Sequence, residues 1–289
     1  MPEPLTIDRL IEAGVHFGCR ANRWNPKMKP FILGKRHLIH LIDLRQTVRG
    51  LLRAENFLAR IASGGAPVLF VGTKRPIRTV VEEHAKRCTS PYVSERWIGG
   101  TLTNFTVIRR RLARLEELER MEEDGTLARQ SKKMMSALRR EKEKIARNLE
   151  GIRSMSTLPG AVVLVDPRRE EIAAQETRRT GIPSICLLDT DCDPDLADIP
   201  IPGNDDAIKS VGLVLTRLSE AVLEGKSAYE TTGAMEERAS DSGDDLRPMR
   251  GDGPERRPRG PRSPAPSAPR HEPAPRPEPA KLSEGDARR

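Results

Sequence analysis

Aromatic side chains are scarce: Phe, Tyr and Trp make up 3% of the 289 residues. A protein that reads single-stranded nucleic acid by stacking bases on exposed rings needs more of them, and Trp24, Trp97 and Phe105 lie in apolar stretches that suit packing. The four cysteines, Cys19, Cys88, Cys186 and Cys192, include no C-x-x-C pair. Neither a zinc ribbon nor a disulfide frame is indicated, and reduced thiols are the expectation. No apolar run approaches the ~20 residues of a spanning helix. The opening MPEPLTIDRL lacks the charged-then-apolar order of an export signal, so no membrane partner is expected. Phosphate cradles are also missing. GTKR at Gly72–Arg75 falls at a strand-to-helix junction, but it is neither G-x-G-x-x-G nor a P-loop, and no nucleotide cofactor is expected. No Ser or Cys occupies a nucleophile elbow. A nucleotide-dependent α/β enzyme therefore rests on fold analogy alone.

Acid is absent from one place in particular. Between Gly14 and Asp43 there is no Asp or Glu, while Arg20, Arg23, Lys27, Lys29, Lys35 and Arg36 crowd the same stretch. Trp24, Pro26, Pro30 and Phe31 are poor residues for a floppy segment, and they predict a loop packed on a core with the cations projecting from it. A row of Lys and Arg on an ordered surface, with no counter-charge nearby in sequence, is suited to polyanionic backbone, whose condensed counterions it releases. Residues 96–115 form a second acid-free stretch, carrying Arg96, Arg109, Arg110, Arg111 and Arg114, with Thr103 or Asn104 expected to cap the helix there. With aromatics so few, the expected target is folded RNA, recognised through phosphates, 2′-hydroxyls and shape. The candidate RNA-binding residues are Arg20, Arg23, Trp24, Lys27, Lys29, Lys35, Arg36, Lys74, Arg75, Arg96, Asn104, Arg109, Arg110 and Arg111. Two readings stand for Lys74: a phosphate ligand at a helix N-terminus, or a solvated side chain.

The formal charge is +8, and residues 230–289 carry twelve basic and twelve acidic side chains, so all the excess lies in the first 229. A basic body with a neutral tail points to a nucleic-acid surface on the body. Along the body, apolar runs alternate with helical periodicity. Leu38–Ile42 reads as a strand, and Asp43 caps a long helix stopped by Gly64 and Gly65. Pro67–Val71 is a buried strand leading into a helix around Ile77–Arg87. After residue 158 come a strand at Ala161–Val165, a helix over 168–180, a strand at Ile182–Leu188, a short strand at Ile199 and Ile201, and a closing helix capped by Asn204 or Asp205. This is an α/β pattern, a doubly wound and mainly parallel sheet of three layers.

Between its halves, Phe105, Ile108, Leu112, Leu115 and Leu118 repeat at helical spacing. Met135, Leu138, Ile145, Leu149 and Ile152 follow in near-heptad register broken by Lys142. An inserted antiparallel helical hairpin turning at Glu122–Thr126 is expected. The domain reading is 1–102 for the first part of the α/β domain with its basic loop, 103–152 for the hairpin, and 153–227 for the second part. From 228 to 289 a Pro/Arg/Gly-rich charged tail is expected to be disordered. An adaptor binding protein partners through the hairpin is a further alternative to an RNA-binding role.

Asp189, Asp191, Asp193 and Asp195 alternate as in a calcium loop, but Pro194 and Pro200 stand where glycine and glutamate are needed. An exposed turn is one reading. A looser Mg²⁺ or Zn²⁺ site is the other, with His16, Asp189, Asp191 and Asp193 and one or both of Asp205 and Asp206 as ligands.

GVHFG followed by RWNPKMKPFI resembles the bacterial small-subunit ribosomal protein family S-two. Further family-like words recur in order: VGTKR, RWIGGTLTNF, LPGAVVLVDPR, DTDCDPD and IPIPGNDDAI, together covering about Thr6 to Gly225. One departure stands out: Cys19 sits where the family usually has histidine. The resemblance implies a flavodoxin-like fold, a structural role without catalysis, and a cytoplasmic location on the ribosome. It also implies small-subunit ribosomal RNA as partner, a solvent-side position bridging head and body, and neighbouring ribosomal proteins including the large mRNA-binding protein numbered one.

Overall fold

A computed structural model describes residues 6–127 and 130–241. The chain opens with α1 (Ile7–Glu12), where the Thr6 hydroxyl accepts the Arg9 N–H at 3.5 Å. The stretch expected as a basic loop folds into β1 (Phe17–Arg20), a 3-10 turn over Pro26–Phe31, β2 (Ile32–Arg36) and β3 (Ile39–Ile42). The strands pair antiparallel in the order β1-β3-β2. Of these, β3 is the strand expected at Leu38–Ile42, whereas β2 leaves little trace in the sequence because it has one half-buried residue and four exposed ones, so no apolar run marks it.

Asp43 then caps α2 (Leu44–Ser63), accepting the Arg45 N–H at 3.0 Å, and Gly64 and Gly65 end it as expected. The chain continues through β4 (Val68–Val71), α3 (Arg78–Arg87) and β5 (Tyr92–Val93) to α4 (Phe105–Glu123) and α5 (Lys132–Leu149). It ends with β6 (Ala161–Val165), α6 (Glu171–Thr180), β7 (Ser184–Leu188), β8 (Ile199–Pro202) and α7 (Ile208–Asp241).

Strands β4 to β8 form one parallel sheet in the order β5-β4-β6-β7-β8. Renumbered within the sheet this is 2-1-3-4-5, the flavodoxin-like doubly wound order. Because successive strand side chains point to opposite faces, β4, β6 and β7 each feed two cores. Val68, Phe70, Val163, Val165, Ile185 and Leu187 meet α2, α3 and α7 on one face. Leu69, Val71, Val162, Leu164, Cys186 and Leu188 meet Met28, Trp97, α4 and α6 on the other. The α/β expectation therefore holds. Against α2, the closing strand approaches so tightly that a Cβ at Gly50 would stand 2.4 Å from the Pro200 carbonyl oxygen.

Helices α4 and α5 share a small apolar cluster of Leu118, Leu127 and Leu138. They are cross-linked by Lys142 to Glu122 at 2.7 Å and Arg114 to Glu141 at 3.4 Å. Lys142, the break in the heptad register, thus satisfies its charge across the pair.

The tail boundary at 228 needs correction, because α7 runs on to Asp241. Residues 228–241 contain no proline and one glycine, with several good helix formers. The Tyr229 ring lies over Gly65, close enough that a Cβ there would meet it at 2.9 Å. The rest of the expected disordered tail, 242–289, lies outside the described residues.

Candidate nucleic-acid interface

The basic stretch is mounted on the body by its neutral residues. Met28 is fully buried in the core shared with α4 and α6, and Phe31 packs against that core. Asn25 accepts the Lys27 N–H at 3.0 Å, starting the 3-10 turn, and donates its own N–H to the Thr190 carbonyl at 2.8 Å. Cys19 donates its N–H to Asp189 Oδ1 at 3.0 Å and to Thr190 Oγ1 at 2.9 Å. At Gly18 a Cβ would come within 2.6 Å of Thr190 Cγ2, so only glycine lets β1 lie this close to the 189–193 turn. The Trp24 ring tilts against His40 at 5.2 Å, half-buried like Phe31.

With its backbone fixed in this way, the belt points most of its cations outward. Arg20, Arg23, Lys29, Lys35 and Arg36 are exposed. Among the described residues none of the five has a carboxylate within ion-pair distance. Lys27 is the exception and a correction: its ammonium bridges Asp193 at 2.8 Å and Asp195 at 2.5 Å. Those two acids stand on a turn more than 160 residues away in sequence, invisible to local inspection.

The tip of this sheet is strained. His37 and Leu38 join β2 to β3 with φ of 50° and 63°, a left-handed conformation that favours glycine or asparagine. Leu38 is nonetheless 74% exposed.

Arg96 on the segment leading into α4, Arg110 and Arg111 within α4, and Arg75 after β4 are all exposed. Arg109 is partly committed, donating from Nη1 to the Met155 carbonyl at 3.2 Å. Asn104 stands at the N-cap of α4 but makes no side-chain capping bond, contrary to expectation. Thr103 is also engaged elsewhere.

The group that organises this segment is absent from the candidates the sequence suggests. Glu176 of α6 is 5% exposed and accepts from Trp97 Nε1 at 3.1 Å and the Gly100 N–H at 2.7 Å. It also accepts from Leu102 N–H at 3.0 Å and from Thr103 N–H and Oγ1 at 3.1 Å each. One buried carboxylate thereby gathers the turn that aims Arg109–Arg111. No short motif marks it, since a glutamate within a helix is ordinarily a surface residue.

Lys74 has partners that neither of its readings anticipated. Its side chain is 16% exposed, and its ammonium lies 2.9 Å from Asp166, 2.9 Å from Asp205 and 2.8 Å from Asp206. It is thus a counter-ion to three of the protein's own carboxylates, and it lines the same cavity as Arg20 and Arg23. Burial works against its charge, but Asp205 and the neighbouring carboxylates outweigh it and raise its pKa. Burial and Asp166 push Asp205 up to about 8 although Lys74 pulls it down, and burial pushes Asp189 up to about 6.

The metal candidates divide accordingly. Asp189, Asp205 and Asp206 bring ligand atoms within 4.8 Å of one another, as do Asp166, Cys192 and Asp205; Asp166 and Cys192 are additions to the expected ligands. Asp191 instead pairs with Arg168, and Asp193 with Lys27. His16 tilts against Phe17 at 4.0 Å with its Nδ1 buried and unbonded, and belongs to neither cluster. The positive charge among these carboxylates is the Lys74 ammonium. Beside them a cavity of about 560 Å³ has Cys19, Arg20 and Arg23 on one side and Asp189, Asp191 and Asp205 on the other.

A family described as "Ribosomal protein S2" matches residues 10–225. A "Small ribosomal subunit protein uS2" of Rhodopirellula baltica is 51% identical over 234 residues, 81% of this chain and 90% of that protein. Proteins named "Small ribosomal subunit protein uS2c" from Emiliania huxleyi and Guillardia theta are 50% and 49% identical, over 78% and 81% of this chain and 99% of each of theirs. The sheet order, the belt and the match across three quarters of its length together make this chain a member of the ribosomal protein S2 family.

Proposed function

We propose that the chain is a structural constituent of the small ribosomal subunit, held there by contact between its basic belt and folded ribosomal RNA. Membership of the S2 family makes it a ribosomal protein of structural kind and not an enzyme. The observation that carries the RNA contact is the set of five exposed cations, Arg20, Arg23, Lys29, Lys35 and Arg36. They lie on a backbone pinned to the core through Met28 and Cys19 and have no internal carboxylate within reach among the described residues. Rigid, uncompensated cations suit a polyphosphate because little ordering entropy is lost on contact.

Arg75, Arg96 and Arg109–Arg111 extend this surface, with Trp24 packed beneath it and Asn104 at its edge. Residues 103–152 are read as an inserted helical hairpin on the α/β domain of 1–102 and 153–227. The chain would act in the cytoplasm, on the solvent side between head and body. Its protein neighbours would be other small-subunit proteins, including the large mRNA-binding protein numbered one. No cofactor is required; the Lys74 ammonium partly offsets the Asp166–Asp205–Asp206 carboxylates, and a structural Mg²⁺ or Zn²⁺ there would be an addition to this reading. The enzyme and free-adaptor alternatives gain nothing from the geometry.

Sedimentation with small subunits tests the proposal. The full chain should co-migrate with them at low salt and be released as salt rises. Arg23→Glu with Arg36→Glu should shift release to lower salt. Co-migration of that variant at every salt concentration used for the parent would overturn the belt as the contact.

A further inference from the structure

Helix α2 carries an arginine row that neither the belt nor the α4 segment includes. Its apolar side, Leu51, Ala54, Leu58 and Ala62, is buried against the face of the sheet opposite Met28 and α4. Its outer side holds Arg45, Arg49, Arg53, Asn56 and Arg60, all exposed. At 3.6 residues per turn these five fall within about 80° of one another around the axis. Arg45 is held by Asp43 at 3.1 Å, and Arg60 donates to the Asn56 carbonyl at 3.4 Å. Arg49, Arg53 and Arg60 have no carboxylate within ion-pair distance among the described residues.

The helix has one acid of its own, Glu55. It lies on the flank toward α7, where it binds Arg217 at 2.7 Å. On the same flank, Glu220 is engaged by Arg87 at 3.2 Å, and Glu224 lies beside Glu55 and Arg217. The outer row therefore runs acid-free for about 16 Å from Arg49 to Arg60, taking 1.5 Å of rise per residue.

We infer that Arg49, Arg53 and Arg60 form a second phosphate-binding surface for RNA, on the opposite side of the parallel sheet from the belt. The inference rests on the belt reading and extends it, because a chain gripping RNA on both outer layers bridges two RNA segments. Three features favour RNA over a protein partner. Every cation in the row is arginine, whose planar fork matches phosphate oxygens in pairs. Only Leu52, 45% exposed, interrupts it as a large exposed apolar side chain, whereas a protein interface needs an apolar centre. The spacing, about one turn from Arg49 to Arg53 and about two from Arg53 to Arg60, keeps the forks on one line along the helix, as a backbone running beside it requires.

The test uses the full chain and purified small-subunit ribosomal RNA. R49Q/R53Q/R60Q, checked for an unchanged thermal melt, should make the slope of log affinity against log salt shallower by about 2 to 3. It should also remove protection of an RNA segment different from the one that R23Q/R36Q leaves unprotected. The single changes R49Q and R53Q should each lower the slope by about 1, which keeps the test open if the triple variant melts early. A parental slope and footprint in all three α2 variants, with weakened binding in R23Q/R36Q, would overturn this inference alone. Parental behaviour in both sets would overturn the belt as well. In assembled subunits, α2 peptides cross-linked to RNA support the inference. Cross-links from α2 to acidic protein segments only, this chain's own 242–289 included, overturn it.

Discussion

The Trp97 indole donates to the Glu176 carboxylate at 3.1 Å, and that bond ties the loop before α4 to a helix on the far side of the same core. Five donors from four residues converge on this one buried side chain. Glu176→Gln keeps the shape but turns an amide group toward donors. Charge-assisted bonds contribute about 1.5–3 kcal/mol each to the stability of their partners, and their effects overlap, so a loss of about 3 kcal/mol is expected by urea unfolding. Glu176→Ala should cost at least as much.

The same carboxylate sets a pH dependence. Burial pushes its pKa up, but the N–H groups of Gly100 and Thr103, the Trp97 indole and the Leu102 N–H more than offset this, and it lies below the ordinary 4.5. A carboxyl depressed in the folded state stabilises fully above its unfolded value and loses that stabilisation as pH falls through the folded one. Amide protection at Gly100, Leu102 and Thr103 should therefore weaken as pH drops from about 5 toward about 3. In Glu176→Gln that acid dependence should be missing.

Lys74 is expected to act on stability and not on RNA. Lys74→Met strands the buried Asp166 and Asp205 carboxylates, and breaking a buried pair from one side costs about 3–5 kcal/mol. Adding Asp205→Asn should recover part of that loss in urea unfolding, because it removes a charge that burial already disfavours. The salt slope for RNA should be the same in the parent and in the double variant.

The hairpin tip carries strain that a sequence change can relieve. His37 and Leu38 both hold positive φ, and left-handed backbone at such residues costs about 1–2 kcal/mol each. His37→Asn with Leu38→Gly should raise stability by about 1 kcal/mol in thermal melts after glycine's greater entropy in the unfolded chain is subtracted.

Much of the α/β body is legible from residues alone, because β4, β6 and β7 are buried on both faces and show as unbroken apolar runs. The caps at Asp43 and Asn204 follow the same local logic: Asn204 accepts the Asp206 and Ala207 N–H groups at 2.9 and 3.1 Å. Of the three-stranded sheet under the belt only β3 is legible, as the apolar run Leu38–Ile42; β1 and β2 hold no buried residue, so no apolar run marks them. The charge state of individual cations is hidden for a different reason. Lys27 and Lys74 meet acids more than 90 residues distant, and only the fold brings them together. Glu176 is hidden likewise, its four partner residues lying more than 70 residues upstream. The arginines of α2 are plain in the sequence, but only the packing of the opposite side shows that their row faces outward.

The most direct measurement is the salt dependence of binding between the full chain and small-subunit ribosomal RNA, with Arg20, Arg23, Lys35 and Arg36 changed to glutamine. Each RNA phosphate that the belt no longer neutralises should lower the slope of log affinity against log salt by about 0.7 to 0.9. The fourfold variant should therefore bind with a slope shallower by about 3, while its thermal melt stays that of the parent. A parental slope and affinity in that variant would show that the belt does not touch the RNA.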